Sequence, residues 1–441
     1  MKNLITKAFL ASVLALSFIC AQARVPVRVA CIGDSITYGS GIEDRDNDSY
    51  PAQLQRILGS AYDVRNFGFS ARVMVQTGDY PYMKEQMYSD VKAFLPDICV
   101  IMLGTNDTKP QNWDKEGYER DYNVMIHELK ALPSHPDIFL CYPPTVVTDR
   151  WGINEKLVVE GTMPIIDRIA LWEWLDVIDT HSATAGMPQN FCQDGVHPNA
   201  GGAGVLARTV AESLKRNGWG AEPGLRVMFI GDSITDGHWG LSSRNHYDNN
   251  HVLGHGYPEM CAAQCLADHP ERNMRFYNRG ISGNTMPMMA ARWDEDLITI
   301  HPDVVSVLIG INDVKEHSVA DFDFATWEAT YRNLIDRTLE RVPGCRFVLI
   351  TPFASRRQLY GPDPVQDRRH DVVARMTEIV KGIASDYGCI VVDGFSLVDD
   401  LYAHSKTEDL HYWLWDGVHP TTAGHRKLAD LWLKQTRKIF R

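Results

Sequence analysis

A chain of 441 residues exceeds the length over which a single hydrophobic core usually keeps growing, so two domains are expected. Apolar residues make up 44% and charged residues 23%, the balance of globular protein rather than of a disordered chain. A net charge of -12, with no basic run, argues against a nucleic-acid partner.

At the N-terminus, Lys2 and Lys7 flank the start of an apolar stretch over residues 8–19, and Ala21-Gln22-Ala23 supplies a small-x-small cleavage site. This is the pattern of a removable export signal over residues 1–23, which predicts a periplasmic or secreted protein. The apolar stretch is short for a membrane span, and no later segment matches one, so no stable membrane insertion is expected. Cys20 raises a lipid-anchored alternative, disfavoured because Ile19 before it is not small. Cys31 and Cys99 fall in apolar runs and read as buried thiols. Cys345 and Cys389 each follow a glycine at the start of a predicted strand and can bridge if those strands are neighbours.

Predicted strands cover residues 27–32, 64–66, 98–103, 138–142 and 174–178, then 226–230, 276–278, 304–309, 347–351 and 390–392. Each is a short continuous apolar run, and amphipathic stretches of helical period separate them. Strands of that kind alternating with helices predict parallel sheets covered on both faces. Residues 219–224, rich in Gly and Pro, read as a linker between a first domain over 24–218 and a second over 225–441.

Three segments occur twice in the same order. Gly33-Asp34-Ser35-Ile36-Thr37 returns as Gly231-Asp232-Ser233-Ile234-Thr235, Gly104-Thr105-Asn106-Asp107 as Gly310-Ile311-Asn312-Asp313, and Asp194-Gly195-Val196-His197-Pro198 as Asp416-Gly417-Val418-His419-Pro420. Acyl transfer needs a nucleophile, a base, a group that orients the base and donors for an oxyanion. Ser35 and Ser233 follow a strand directly and are the candidate nucleophiles. His197 and His419 are the candidate bases, and Asp194 and Asp416, three residues earlier, can hold each imidazole from one turn. Asn106 and Asn312 offer side-chain N–H groups to the oxyanion, and Gly68 and Gly280 offer backbone N–H groups with no side chain in the way. Asp34, Asp232, Asp107 and Asp313 read as acceptors for nearby backbone N–H groups.

These blocks resemble those of the SGNH (GDSL-type) hydrolases, whose Ser, Gly, Asn and His lie in four separated segments, and both halves carry all four in order. The resemblance implies two flavodoxin-like three-layer α/β domains, each with a five-stranded parallel sheet and helices on both faces. It also implies serine esterase chemistry without cofactor or metal. One departure is Ala71 in Gly68-Phe69-Ser70-Ala71, where the second half reads Gly280-Ile281-Ser282-Gly283.

Export, a negative surface and two esterase halves suit a carbohydrate polymer carrying acetyl groups, and the family implies carbohydrate acetylesterases as a comparison. Trp113, Trp151, Trp239 and Trp293 fall in predicted loops or helix starts, where indoles can stack on sugar rings, about half of them being expected to face a groove. Arg356, Arg357, Arg368 and Arg369 cluster, and Arg356 is the candidate contact for a uronic-acid carboxylate. His238, His246, His251 and His255 show no metal-ligand spacing and read as pocket lining. The alternatives are a lipid or thioester hydrolase of the same fold, or a glycan-binding protein with an inactive half.

Overall fold

The computed structural model describes residues 25–220, 224–238, 252–314, 321–356 and 364–440. Trp239, His246, His251 and Arg357 lie outside the described residues. The first half contains β1 (Val27–Gly33), β2 (Tyr62–Gly68), β3 (Ile98–Met102), β4 (Asp137–Cys141) and β5 (Asp176–Ile178). The second contains β6 (Arg226–Gly231), β7 (Arg275–Gly280), β8 (Val304–Leu308), β9 (Arg346–Ile350) and β10 (Ile390–Val392). Each half folds its strands into one five-stranded sheet, ordered β2-β1-β3-β4-β5 in the first and β7-β6-β8-β9-β10 in the second. Every ladder within them is parallel. This is the flavodoxin-like strand order, which places a site beyond the carboxyl ends of the strands.

Alternation along the strands makes the three layers. On β1 and β3, Ala30, Ile32, Cys99 and Ile101 enter one core cluster, with Tyr122, Ile126 and Leu129 of the helix Lys115–Lys130. Val27, Val29, Cys31, Ile98 and Val100 enter the opposite cluster, with Leu206, Val210 and Leu214 of the helix Ala200–Arg216. Successive side chains of a strand point to opposite faces, so an unbroken apolar run is what a sheet covered on both sides requires.

Two expectations are corrected. β5 begins at Asp176 rather than at residue 174: Trp174 caps the preceding helix at φ 55°, and the Leu175 N–H closes it on the Ala170 carbonyl. Cys345 and Cys389 stand immediately before the neighbouring strands β9 and β10, but the register pairs Ile390 with Val348 and so sets the two cysteines out of step, and all eight described cysteines are free thiols.

Contacts between the halves gather at the amino ends of the strands. Arg226, 1% exposed, donates to the carbonyls of Ile300 and Val25 and lies 3.5 Å from Asp97. Arg28 is bonded to Asp97 and to the Thr299 carbonyl. Trp219 donates to Asp137 at 2.9 Å, and Arg275 bonds the same carboxylate while its guanidinium covers the Trp219 ring. Both serines sit at the other ends of their sheets, beyond β1 and β6. Among the described residues no helix is long and apolar enough to cross a membrane.

Candidate active sites

Each serine opens a one-turn helix directly after its strand, Ser35–Tyr38 and Ser233–Asp236. The preceding aspartates cap these turns: Asp34 accepts the Ile36 N–H at 2.9 Å and Asp232 the Ile234 N–H at 3.0 Å. A cap of this kind stabilises a helix start by about 1 kcal/mol. Burial pushes the Asp34 carboxyl up to about 6 against the pull of the Ile36 N–H, and that of Asp232 up to about 7.

The histidines arrive on tight turns. Gly195 and Gly417 take φ of 70° and 86°, which a side chain would strain, and this folds each Asp back over its His. Asp194 Oδ1 accepts the Val196 and His197 N–H groups at 2.8 Å, and Asp416 Oδ1 accepts those of Val418 and His419 at 3.0 and 2.7 Å. The second carboxylate oxygen then meets the ring: Asp194 Oδ2 to His197 Nδ1 is 2.9 Å, and Asp416 Oδ2 to His419 Nδ1 is 2.6 Å. On the far side, His197 Nε2 lies 2.9 Å from Ser35 Oγ and His419 Nε2 lies 2.7 Å from Ser233 Oγ.

Burial pushes both carboxyls up, but the hydrogen bonds from the histidines outweigh it and hold Asp194 and Asp416 below the usual range. The Asp416 hydrogen bond raises His419 above its ordinary value, against desolvation, with the Asp232 charge adding to the rise. The second site is the more open, its His419 side chain 34% exposed against 13% for His197.

Asn106 is buried behind β3, its amide donating to Asp34 Oδ2 at 3.2 Å and the Arg72 carbonyl at 3.3 Å. Asn312 donates to the Asn284 carbonyl at 3.1 Å. The Gly68 and Gly280 N–H groups, expected to face an oxyanion, each donate to an asparagine side chain, Asn66 or Asn278, at 2.9 Å. An incoming oxyanion would have to share those donors. The glycines also permit close packing: a Cβ at Gly68 would stand 2.1 Å from the Tyr38 nitrogen, and one at Gly280 2.2 Å from that of Asp236. Asp107 accepts the Met74 and Val75 N–H groups and Asp313 that of Met286, so both tie the loops beyond β2 and β7 to the asparagine turns.

The tryptophans divide. Trp151 is 54% exposed, with its ring 5.7 Å from that of His197. Trp113 is half-buried against Tyr118 and lines a cavity of about 390 Å³ with Thr108, Pro110, Gly152 and Asn154. Trp293 is fully buried and donates to Thr338, so it belongs to the core because its indole N–H finds a partner there. Sequence reasoning missed Trp415, 55% exposed and stacked on His419 at 5.6 Å; its place immediately before Asp416 was the available signal. Arg356 neighbours Ser355, whose N–H bonds the Gly417 carbonyl beside the second site. Its guanidinium is engaged by His370 and Asp371 instead of standing free.

A model of the GDSL-like lipase/acylhydrolase family matches residues 31–205 and again 229–427. An acetylxylan esterase of Xylanibacter ruminicola is 41% identical over 207 residues, 43% of this chain and 43% of that protein. Another, from Geobacillus stearothermophilus, is 35% identical over 222 residues, 48% of this chain and 94% of that protein. A crystal structure of an acetylxylan esterase from Geobacillus stearothermophilus superimposes with a TM-score of 0.39 at 33% identity, covering 48% of this chain and 94% of that one. With the family's blocks present in both halves and its model matching each, the chain belongs to the GDSL-like lipase/acylhydrolase family twice over.

Proposed function

We propose that the protein is a serine esterase that removes acetyl groups from a carbohydrate polymer, with one catalytic centre in each half. The observation that carries this reading is the unbroken chain from Ser35 Oγ through His197 to Asp194, repeated from Ser233 through His419 to Asp416. The names of the relatives support acetylated xylan as the substrate class. The leader-like residues 1–23 support export, and the two lobes are assigned to residues 24–218 and 225–441, joined through 219–224.

In the proposed reaction the serine Oγ attacks the acetyl carbonyl carbon as its proton passes to histidine Nε2. The aspartate keeps the imidazole in the tautomer that accepts this proton and stabilises the imidazolium that results. Asn106 or Asn312, with the neighbouring backbone N–H groups, stabilises the oxyanion of the tetrahedral intermediate. On its collapse the sugar oxygen leaves, taking the proton from Nε2, and the acetyl group stays on the serine. Water then attacks the acetyl-serine with the same histidine as base, releasing acetate and restoring the hydroxyl.

The test is acetate release from a panel of acetylated polysaccharides by the wild type, Ser35→Ala, Ser233→Ala and the double variant. Each single variant is expected to retain part of the activity and the double variant none. Undiminished release by the double variant would overturn the mechanism. Glycan affinity without acetate release from the wild type would replace the enzyme reading with a binding protein.

A further inference from the structure

The second half contains a cavity that its counterpart's sequence does not provide for. An open cleft of about 700 Å³ is lined by Asp400, Leu401 and His404 at the end of the helix Gly394–Ala403, by Lys406, Thr407, Tyr412 and Trp413 of the following loop, and by Lys427 of the helix Thr422–Thr436. That volume is in the range of small-molecule sites. The loop is held from within. Tyr402 donates to the Leu410 carbonyl, and Ser405 Oγ donates to the Thr407 carbonyl. The Trp413 indole donates to Ser405 Oγ at 3.3 Å, and its ring meets Tyr412 edge-on at 4.8 Å.

The lining combines two chemistries. Tyr412 and Trp413 supply aromatic surface, suited to the C–H faces of a sugar ring. Lys406 and Lys427 supply two exposed ammonium groups with no carboxylate partner among the described residues. Four described lysines do have carboxylate partners, Lys381 with Glu378 and Asp393, Lys130 with Glu173, Lys92 with Glu128 and Lys156 with Glu160; what sets Lys406 and Lys427 apart from the remaining lysines is that both line one cavity beside Tyr412 and Trp413. Asp400 is the acid in the lining, and His404 Nδ1 is already engaged with the Asp400 carbonyl. Two lysines against one aspartate leave a cationic cavity in a protein of net charge -12. The first half carries Met187, Pro188, Asn190 and Phe191 along the corresponding path, with no lysine and no indole.

The cavity is tied to the catalytic hairpin. Leu414 and Pro420 form its bridge, the Thr421 N–H bonds the Trp413 carbonyl, and the turn between them carries Trp415, Asp416 and His419. We propose that this cavity is a subsite of the second lobe for a sugar bearing a carboxylate, so that the lobe favours acetylated glycan segments carrying a uronic-acid branch. The proposal rests on the esterase reading above. It gives the two lobes different substrates: the second recognises the charged branch, the first does not.

The experiment uses the full chain with Ser35→Ala, so that turnover reports on Ser233 alone. Substrates are acetylated xylo-oligosaccharides with and without one glucuronic-acid branch. The expected result is a kcat/KM about tenfold higher for the branched substrate, falling to near parity with the unbranched one in Lys406→Ala/Lys427→Ala through a rise in KM. Equal kcat/KM for the two substrates, or a preference that survives the lysine substitutions, would overturn the proposal. A second measurement separates its failure from that of the esterase reading. Calorimetric binding of the deacetylated branched oligosaccharide to Ser35→Ala/Ser233→Ala should weaken about tenfold on loss of both lysines, whether or not acetate is ever released. Unchanged affinity there counts against the subsite, and so does equal affinity for the unbranched oligosaccharide.

Discussion

Trp415 stacks on His419 at an interplanar angle of 21°, their ring centroids 5.6 Å apart. The first half brings an indole to the matching His197 from another part of the chain: Trp151, in the loop after β4, reaches it at 5.7 Å and 50°. The position that matches Trp415 in the first half is Gln193. Two halves that reach one arrangement from non-equivalent positions point to a requirement for an aromatic wall beside the histidine. Both indoles stand more than half exposed, where packing alone gives little reason for a tryptophan.

Replacing these walls should therefore weaken glycan binding more than chemistry. Trp151→Ala in a Ser233→Ala background, and Trp415→Ala in a Ser35→Ala background, are expected to raise KM for acetylated oligosaccharides roughly 2- to 12-fold, as for an aromatic contact of about 0.5–1.5 kcal/mol. Values of kcat for a small aryl acetate should stay within a factor of about two. Steady-state kinetics with both substrates decides it, and an equal fall in kcat for both would assign the indoles to holding the histidine instead.

A second expectation concerns pH. In the proposed mechanism the histidine acts unprotonated, and the Asp416 hydrogen bond and Asp232 charge raise His419, so the acid limb of kcat/KM in Ser35→Ala should lie above the usual histidine range. Asp232→Asn removes the nearby charge and should move that limb down. It also bears on stability. The Asp232 carboxyl rises on folding from 3.8 to about 7, so its stabilising contribution is complete below 3.8 and is lost as pH climbs through about 7. Asn keeps the oxygen that accepts the Ile234 N–H and cannot ionise. Thermal unfolding of Asp232→Asn should thus gain on the wild type at pH 8.5 and lose that advantage near pH 4. A variant less stable than the wild type at pH 8.5 contradicts the assignment.

The parts legible in the sequence are those imposed by chemistry local to the chain. Ser35 must follow β1 directly and Asp194 must sit one turn from His197, so motif spacing carries the site. Buried strands must be continuously apolar, so the sheets could be read as well. What was not legible depends on contacts made far along the chain. Trp293 is core because Thr338 comes to meet its indole nitrogen, and Arg356 is occupied because His370 lies beside it. The cavity of the second half joins two helices and a loop, a convergence that no local pattern records.

The two halves also differ in the loop that follows Gly68 and Gly280, where Ala71 stands opposite Gly283. Ala71 holds φ 68° where its counterpart Gly283 holds φ 80°, so the loop after each glycine donor needs a left-handed residue and the first half builds it with an L side chain. That conformation costs an alanine about 1–2 kcal/mol, because its Cβ crowds the following carbonyl. Nothing lies within 4 Å of a Cβ added at Gly283, so the backbone penalty there is unmixed with any clash. Ala71→Gly is expected to gain part of that energy, less the entropy glycine adds to the unfolded chain, and Gly283→Ala to lose a comparable amount. Opposite shifts in denaturant midpoint would show the strain directly. A loss of stability in Ala71→Gly would mean that the methyl group contributes packing worth more than the strain, and that the loop beside Ser35 is rigid because of the alanine rather than in spite of it.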